Sequence, residues 1–268
     1  MNHLHCMVCH GQDVRAIATY DEFAAAARIA SDERKPILAY LESCKETPFN
    51  EFLRCVGCGF TRIVPAPSVG TLSAFYQNYY GSATYARKRE KKIRLTMKRL
   101  ARIRHLVRGG SFLDVGCNVG FAVEAARLSG FTASGIEIDA KAVAYASEHF
   151  PDNRFTATTI EDFTSAEPFD LVHCTEVIEH VIDPGAFMGH LARLTKPGGY
   201  LYLTTPDAGH WRRAKNFVDW PEVKPLEHIN WQTRKSIRHL LAAHGFEAPR
   251  IALNLKPGLR LIARKRAA

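Results

Sequence analysis

The 268-residue sequence predicts an open α/β sheet, mostly parallel and closed by a C-terminal antiparallel hairpin, with a small metal-binding module ahead of it. Three observations carry that expectation. Short apolar runs alternate with helical patterns over residues 111–205, as in parallel strands joined by right-handed helical crossovers. A turn with two glycines, Asp114-Val115-Gly116-Cys117-Asn118-Val119-Gly120, runs from the first of these strands directly into a helix. Two Cys-x-x-Cys pairs, Cys6/Cys9 and Cys55/Cys58, are separated by 45 residues near the start of the chain.

Taken in order, residues 1–67 read as a zinc-ribbon-like module with a helical insertion from Asp21 to Lys45, ended by Pro65 and Pro67. Residues 68–110 hold a Tyr-rich linker and then a basic amphipathic helix. Its apolar positions Ile93, Met97, Leu100, Ile103 and Val107 recur at helical spacing, and Gly109-Gly110 stops it. Residues 111–268 form the main domain. Strands are expected at 111–115, 132–138, 154–158, 169–174 and 200–205, with helices at 119–129, 140–149, 187–194 and 233–244. A turn at Lys196-Pro197-Gly198-Gly199 precedes the fifth strand. Residues 246–255 and 259–263, around Lys256-Pro257-Gly258, complete the hairpin.

Composition narrows the function classes. With 46% hydrophobic and 24% charged residues the chain is neither disordered nor fibrous. No run approaches the roughly 20 apolar residues of a membrane span. The start, Met1-Asn2-His3-Leu4-His5-Cys6, shows no basic or apolar leader pattern, so a cytoplasmic location is expected. Thiols stay reduced there, and seven cysteines then point to metal ligands or buried thiols rather than bridges. The net charge of +9 sits in one place: residues 1–110 hold 18 basic against 9 acidic residues, and residues 111–268 hold 18 of each. Eleven of the basic residues fall between Arg87 and Arg108, against Glu90 alone. The simplest reading is a solvated helix. The functional readings are contact with nucleic-acid phosphates or with an anionic membrane near a lipid-linked acceptor. No nucleic-acid recognition motif accompanies the run, so nucleic acid is the less favoured partner.

Gly116 permits the tight turn and Gly120 lets the helix start approach a ligand. Glu137 ends the second strand 21 residues after Gly116, at the spacing of a ribose-binding carboxylate. A dinucleotide fingerprint would need a glycine where Asn118 stands. The pattern Asp114-x-Gly116-x-Asn118-x-Gly120 instead resembles the loop of class I S-adenosylmethionine (SAM)-dependent methyltransferases. Further blocks extend the resemblance: Gly135-Ile136-Glu137-Ile138-Asp139, Ile160-Glu161-Asp162, Phe169 to Cys174, and Leu194 to Tyr200. It implies a Rossmann-like sheet, SAM as cofactor, and a pocket lined by Asp114, Gly116, Cys117, Asn118, Gly120 and Cys174. Glu137 would then hold the ribose and Ile138 the adenine face, with Ile160 and Glu161 at the adenine edge.

Methyl transfer from a sulfonium needs alignment of the acceptor and, for a hydroxyl or carbon acid, removal of its proton. Candidates follow the fourth strand in Glu176-Val177-Ile178-Glu179-His180. On a helix Glu176, Glu179 and His180 would share one face. His180 is the candidate base, joined by Glu176 and by His228 in Pro225 to Trp231. The string resembles both ubiquinone-pathway O-methyltransferases and small-RNA 2′-O-methyltransferases. In the second group two Glu and two His hold a divalent ion, and Glu176, Glu179, His180 and His228 would then suit Mg²⁺ or Mn²⁺. Helix capping or packing is the bland alternative for these residues.

Each Cys-x-x-Cys turn aims two thiolates at one ion, and the two pairs complete a tetrahedral Zn²⁺ site at Cys6, Cys9, Cys55 and Cys58. His3, His5 and His10 are spare donors; Cys44, Cys117 and Cys174 read as packing thiols. With Pro65-x-Pro67 and Tyr79-Tyr80, the module resembles that of methyltransferases acting in sugar, glycan and natural-product pathways. Tyr80 and Tyr85 are placed to fold over the cofactor. The expectation is methyl transfer to a hydroxyl or carbon of a small-molecule acceptor: a sugar, glycan precursor or secondary metabolite. RNA 2′-O-methylation and a non-catalytic SAM- or zinc-binding scaffold are the alternatives.

Overall fold

The computed structural model describes residues 5–44, 48–79 and 89–267. His3, Tyr80, Tyr85, Arg87 and Lys88 lie outside these residues. Two sheets organise the chain. The larger has seven strands in the order β10-β11-β8-β7-β4-β5-β6. Its core is β4 (Gly110–Val115), β5 (Phe131–Glu137), β6 (Arg154–Ala157), β7 (Phe169–Thr175) and β8 (Thr195–Pro206), all parallel. β11 (Gly258–Arg264) runs antiparallel to β8, and β10 (Arg250–Ile251) antiparallel to β11. Helices cover both faces of a parallel sheet, so its central strands read as unbroken apolar runs: Phe112, Leu113, Leu171, Val172, Leu201 and Leu203 are fully buried.

Local chemistry sets the crossovers. α5 (Phe121–Leu128) starts at Gly120, and α6 (Ala140–His149) is capped by Asp139, whose side chain accepts from the Lys141 amide. α7 (Pro184–Leu194) has Pro in its first turn and Asp183 accepting two amides; α8 (Arg234–Ala243) opens on a capping box between Thr233 and Ser236. Before the sheet, α3 (Val69–Tyr79) precedes α4 (Arg89–Ile103), which packs across α5 through Leu100. No described helix is long and apolar enough to cross a membrane.

The smaller sheet, order β1-β2-β3-β9, is antiparallel throughout: β1 (Val14–Thr19), β2 (Glu51–Cys55), β3 (Thr61–Val64) and β9 (Asn230–Trp231). Its fourth strand therefore comes from the far end of the chain. An aromatic cluster of Phe23, Phe49, Phe52, Phe217 and Trp231 fills the space beneath it.

Three elements differ from the sequence expectation. The helical insertion is two helices, α1 (Tyr20–Ile29) and α2 (Arg34–Ser43), with Asp32 capturing the Arg34 amide and guanidinium at the break. The Lys196–Gly199 turn is absorbed into β8, where Gly198 takes φ +78°. The hairpin's first arm shrinks to two residues, leaving Leu253 and Leu255 facing solvent.

Candidate active site and metal centre

The strand order reverses between β4 and β7, the crevice where open α/β sheets bind ligands. The loop after β4 is built from left-handed residues. Gly116 has φ +74°, and a Cβ there would lie 2.6 Å from Val177, so the loop and the turn after β7 are pressed together. Asn118 has φ +47° and its side-chain oxygen accepts the Val119 amide. Asparagine is among the few side chains that tolerate this region, so it does the work of the glycine the pattern lacks.

Glu137 closes β5 with its carboxylate accepting three backbone amides, from Asn118 (3.0 Å), Ile138 (2.7 Å) and Asp139 (3.1 Å). A carboxylate has about four acceptor positions, so about one remains. Ile138 beside it is 68% exposed, an apolar face at the crevice rim. Ile160 is buried and Glu161 exposed. Asp114 lies under the loop, buried, with His173 Nδ1 at 2.6 Å. Cys117 and Cys174 are buried, and burial pushes both thiols well above their ordinary range.

After β7 the chain does not form the helix the spacing suggests. Glu176 sits in a left-handed turn, φ +56°, because its amide donates to Thr204 O and its carboxylate accepts from Thr204 Oγ1 at 2.7 Å. A single 3-10 turn, Ile178–His180, follows. It brings Glu179 and His180 against His228, with one donor atom of each within 4.8 Å of the others; Glu176 is not part of that group. The imidazoles cross edge to face with centroids 5.0 Å apart.

Each ring has Nδ1 at a backbone carbonyl, His180 at Glu227 O and His228 at Glu222 O. A carbonyl can only accept, so Nδ1 carries the hydrogen in each ring. Burial lowers the pKa of both histidines, and each further feels the other's charge or nearby carboxylates. The fully buried Glu179 is pushed far the other way by burial and by Glu176; Thr205 donates to its Oε2, and among the described residues its Oε1 has no hydrogen-bond partner.

Sequence reasoning missed three supporting residues. His173 could have been found from register, since Asp114 and His173 are Cα partners on adjacent strands. Asn230 donates to the Ile178 and Val181 carbonyls. Lys224 joins Glu33 (2.9 Å) to Glu227 (3.3 Å), and these carboxylates raise its pKa against burial. Neither carries a motif.

The four module cysteines come together. Cys6 and Cys58 sulfurs are 3.6 Å apart, Cys9 and Cys55 3.5 Å, and all four lie within 4.8 Å of one another. Four thiolates at about 2.3 Å from one ion would have edges of about 3.8 Å, so the cluster fits a tetrahedral zinc module. Val8 and Cys58 amides point at the Cys6 and Cys55 sulfurs respectively, and the hydrogen bond from the Cys58 thiol pulls Cys6 down to about 5. His5 and His10 are exposed outside the cluster.

Comparison with known proteins agrees with this architecture. Residues 85–249 match a family model described as a methyltransferase domain. A ubiquinone biosynthesis O-methyltransferase of Thiobacillus denitrificans is 37% identical over 116 residues, covering 41% of this chain and 48% of that protein. The chain thus spans about half the length of the curated relatives it matches. Among solved structures, the 1,6-didemethyltoxoflavin-N1-methyltransferase of Burkholderia thailandensis superposes with TM-score 0.55 at 18% identity, over 80% of this chain and 98% of that one. The magnesium protoporphyrin IX methyltransferase of Synechocystis gives 0.52 at 19%, over 75% and 99%. These structures share the fold. The chain belongs to the methyltransferase-domain family, on the class I Rossmann-like sheet.

Proposed function

We propose that this protein transfers a methyl group from SAM to a hydroxyl of a small-molecule acceptor, with His180 as proton acceptor. The observation that carries the reading is the pair of imidazoles with Nδ1 fixed on carbonyls, so that Nε2 is the nitrogen left to act as base, next to the turn that packs on the cofactor loop. SAM would supply an activated methyl on a sulfonium, so the chain's task is to orient the acceptor and take its proton. The crevice suits SAM: Glu137 retains acceptor capacity for a ribose hydroxyl, and exposed Ile138 offers an apolar face to adenine. Ile160 and Glu161 would frame the adenine edge. Gly116, Cys117, Asn118 and Gly120 would present backbone to the ligand, as would Cys174, while Asp114 holds the loop from below through His173. Zn²⁺ at the four cysteines would be structural.

His180 Nε2 would take the acceptor proton, and His228, kept neutral, would add no competing charge. The O-methyl chemistry named for the Thiobacillus relative fits a histidine base, and the acceptor is expected to be a sugar or a secondary metabolite. A second reading has one specific support: Glu179, His180 and His228 could together ligate Mn²⁺ or Mg²⁺, as in RNA 2′-O-methylation. It is weaker because Glu176, the fourth donor, is engaged by Thr204. Calorimetry with SAM and turnover of His180→Ala test the proposal. SAM binding with turnover abolished is expected. Turnover unchanged in the variant removes His180 as base, and turnover that needs added Mn²⁺ would favour the second reading.

A further inference from the structure

A cavity lies well away from the crevice. It measures about 630 Å³ and lies between α4 with its C-terminal extension and the Leu128–Phe131 turn. Gly110 and Phe131, at this end, begin the strands whose other ends carry the cofactor loop and Glu137. At about 3.3 Å per residue, the two sites are roughly 20 Å apart.

The walls have a definite chemistry. Arg94 and Lys98 of α4, with Arg104 and Arg108 beyond its end, rim the cavity, all exposed, and among the described residues no carboxylate lines it. Among the described residues none of the four has an ion-pair partner, whereas nearby Arg127 is held by Glu124. The floor is apolar: Leu100, Val107 and Phe131, with half-exposed Leu128 at the lip. Four like charges around one space repel, and an anion between them relieves the repulsion. Guanidinium groups match phosphate oxygens in paired hydrogen bonds. The apolar lining in turn gains by covering hydrocarbon, chiefly at half-exposed Leu128 and exposed Ala101. Nucleic acid is a poor match, because a single-stranded base needs an accessible aromatic face and Phe131 is only 8% exposed.

We propose that this cavity binds a phosphate-bearing amphiphile, the phosphate among the rim cations and the hydrocarbon along the exposed apolar lining at Ala101 and Leu128. The ligand chemistry is shared by a soluble alkyl or prenyl phosphate and by an anionic lipid headgroup with its first methylenes. The site is separate from methyl transfer and stands if that reading fails.

The test uses the full chain and the charge-reversed Arg104→Glu/Arg108→Glu double variant, whose substitutions lie on exposed positions. Equal thermal midpoints and equal metal content establish that the variant is folded. The first arm is calorimetry with monomeric dodecyl phosphate, inorganic phosphate and dodecyl maltoside. The second arm is flotation with phosphatidylglycerol or phosphatidylcholine vesicles. Dodecyl phosphate is expected to bind more tightly than inorganic phosphate, and the variant to weaken it by roughly tenfold or more. Binding of the monomer alone identifies a soluble ligand, and retention on phosphatidylglycerol vesicles alone a lipid headgroup. Equal binding by the variant, equal binding of the maltoside, or retention of an oligouridylate without either amphiphile overturns the proposal. Should the double variant fail to fold, Lys98→Glu read in the same way decides the matter.

Discussion

The side-chain amide of Asn230 donates to the carbonyl of Ile178 at 2.9 Å, and its second hydrogen reaches Val181 at the same distance. These carbonyls bracket the turn that carries Glu179 and His180. Asn230 itself belongs to β9, paired with Arg62 of β3, and its Oδ1 accepts from Gln232. The Ile229 amide next to it donates to Glu179 O. The turn is thus pinned to the cysteine-bearing sheet as well as to β8, where Thr205 donates to Glu179.

Asn230→Asp should therefore be more harmful than its size suggests. It keeps the shape but turns two donated bonds into carboxylate–carbonyl repulsion at a 2% exposed site. A loss of about 2–4 kcal/mol is expected, since an unsatisfied buried polar group costs about 1–3 and a charge more. Hydrogen exchange checks the mechanism: His180 and Ile229 amides should exchange faster while those of β4 stay protected. Uniform loss of protection would mean global unfolding instead.

The Asp114–His173 pair sits beneath the cofactor loop, with His173 stacked on Tyr202 at 5.2 Å. His173→Ala would leave a buried carboxylate unpartnered and is expected to cost about 3–5 kcal/mol. His173→Asn, which retains a donor, should recover part of that. Urea unfolding with an unchanged slope measures the difference. Equal stability of wild type and His173→Ala would show that the pair contributes nothing.

Most of the large sheet was legible because its central strands are buried on both faces and its helices carry local caps, so pattern and structure answer to the same residues. The loop was legible too, even at Asn118, whose φ of +47° replaces a glycine's. What the sequence hid was non-local. Glu176 looked helical by spacing, yet contacts with Thr204, 28 residues on, hold it left-handed. β9 has two residues and no pattern of its own; its pairing with β3 spans most of the chain. The histidine tautomers depend on carbonyls at Glu222 and Glu227, which no side-chain motif reveals.

Removal of the metal should reach beyond the cysteines. Purified protein is expected to carry about one Zn²⁺ per chain, and Cys55→Ser to lose it, whereas Cys44→Ser keeps it. The knuckle carbonyl of Cys58 accepts from Thr233 Oγ1 at 2.6 Å, at the cap of α8, and Cys6, Cys55 and Cys58 share a core with Ile178 and Ile237. Chelation should lower the thermal midpoint and speed exchange at the start of α8 together. Full metal retained in Cys55→Ser would remove the assignment.

The last prediction concerns pH. Burial lowers the folded pKa of His180 and His228 below the ordinary 6.5, so their contribution to stability is present above that pH and lost as pH falls toward the folded values. Glu179 works oppositely: its folded pKa is raised well above 4.5, so its contribution is complete below 4.5 and is lost as pH rises through the raised value. Stability should decline on both sides, and Glu179→Gln should flatten the alkaline decline while leaving the acid one. Thermal midpoints across pH in both proteins measure this. With His180 as the proposed base, kcat/KM is expected to follow its titration. A base already neutral at pH 6.5 gives a kcat/KM profile that is level above that pH and falls in acid, whereas a rise continuing past pH 7.5 would show that another group accepts the proton.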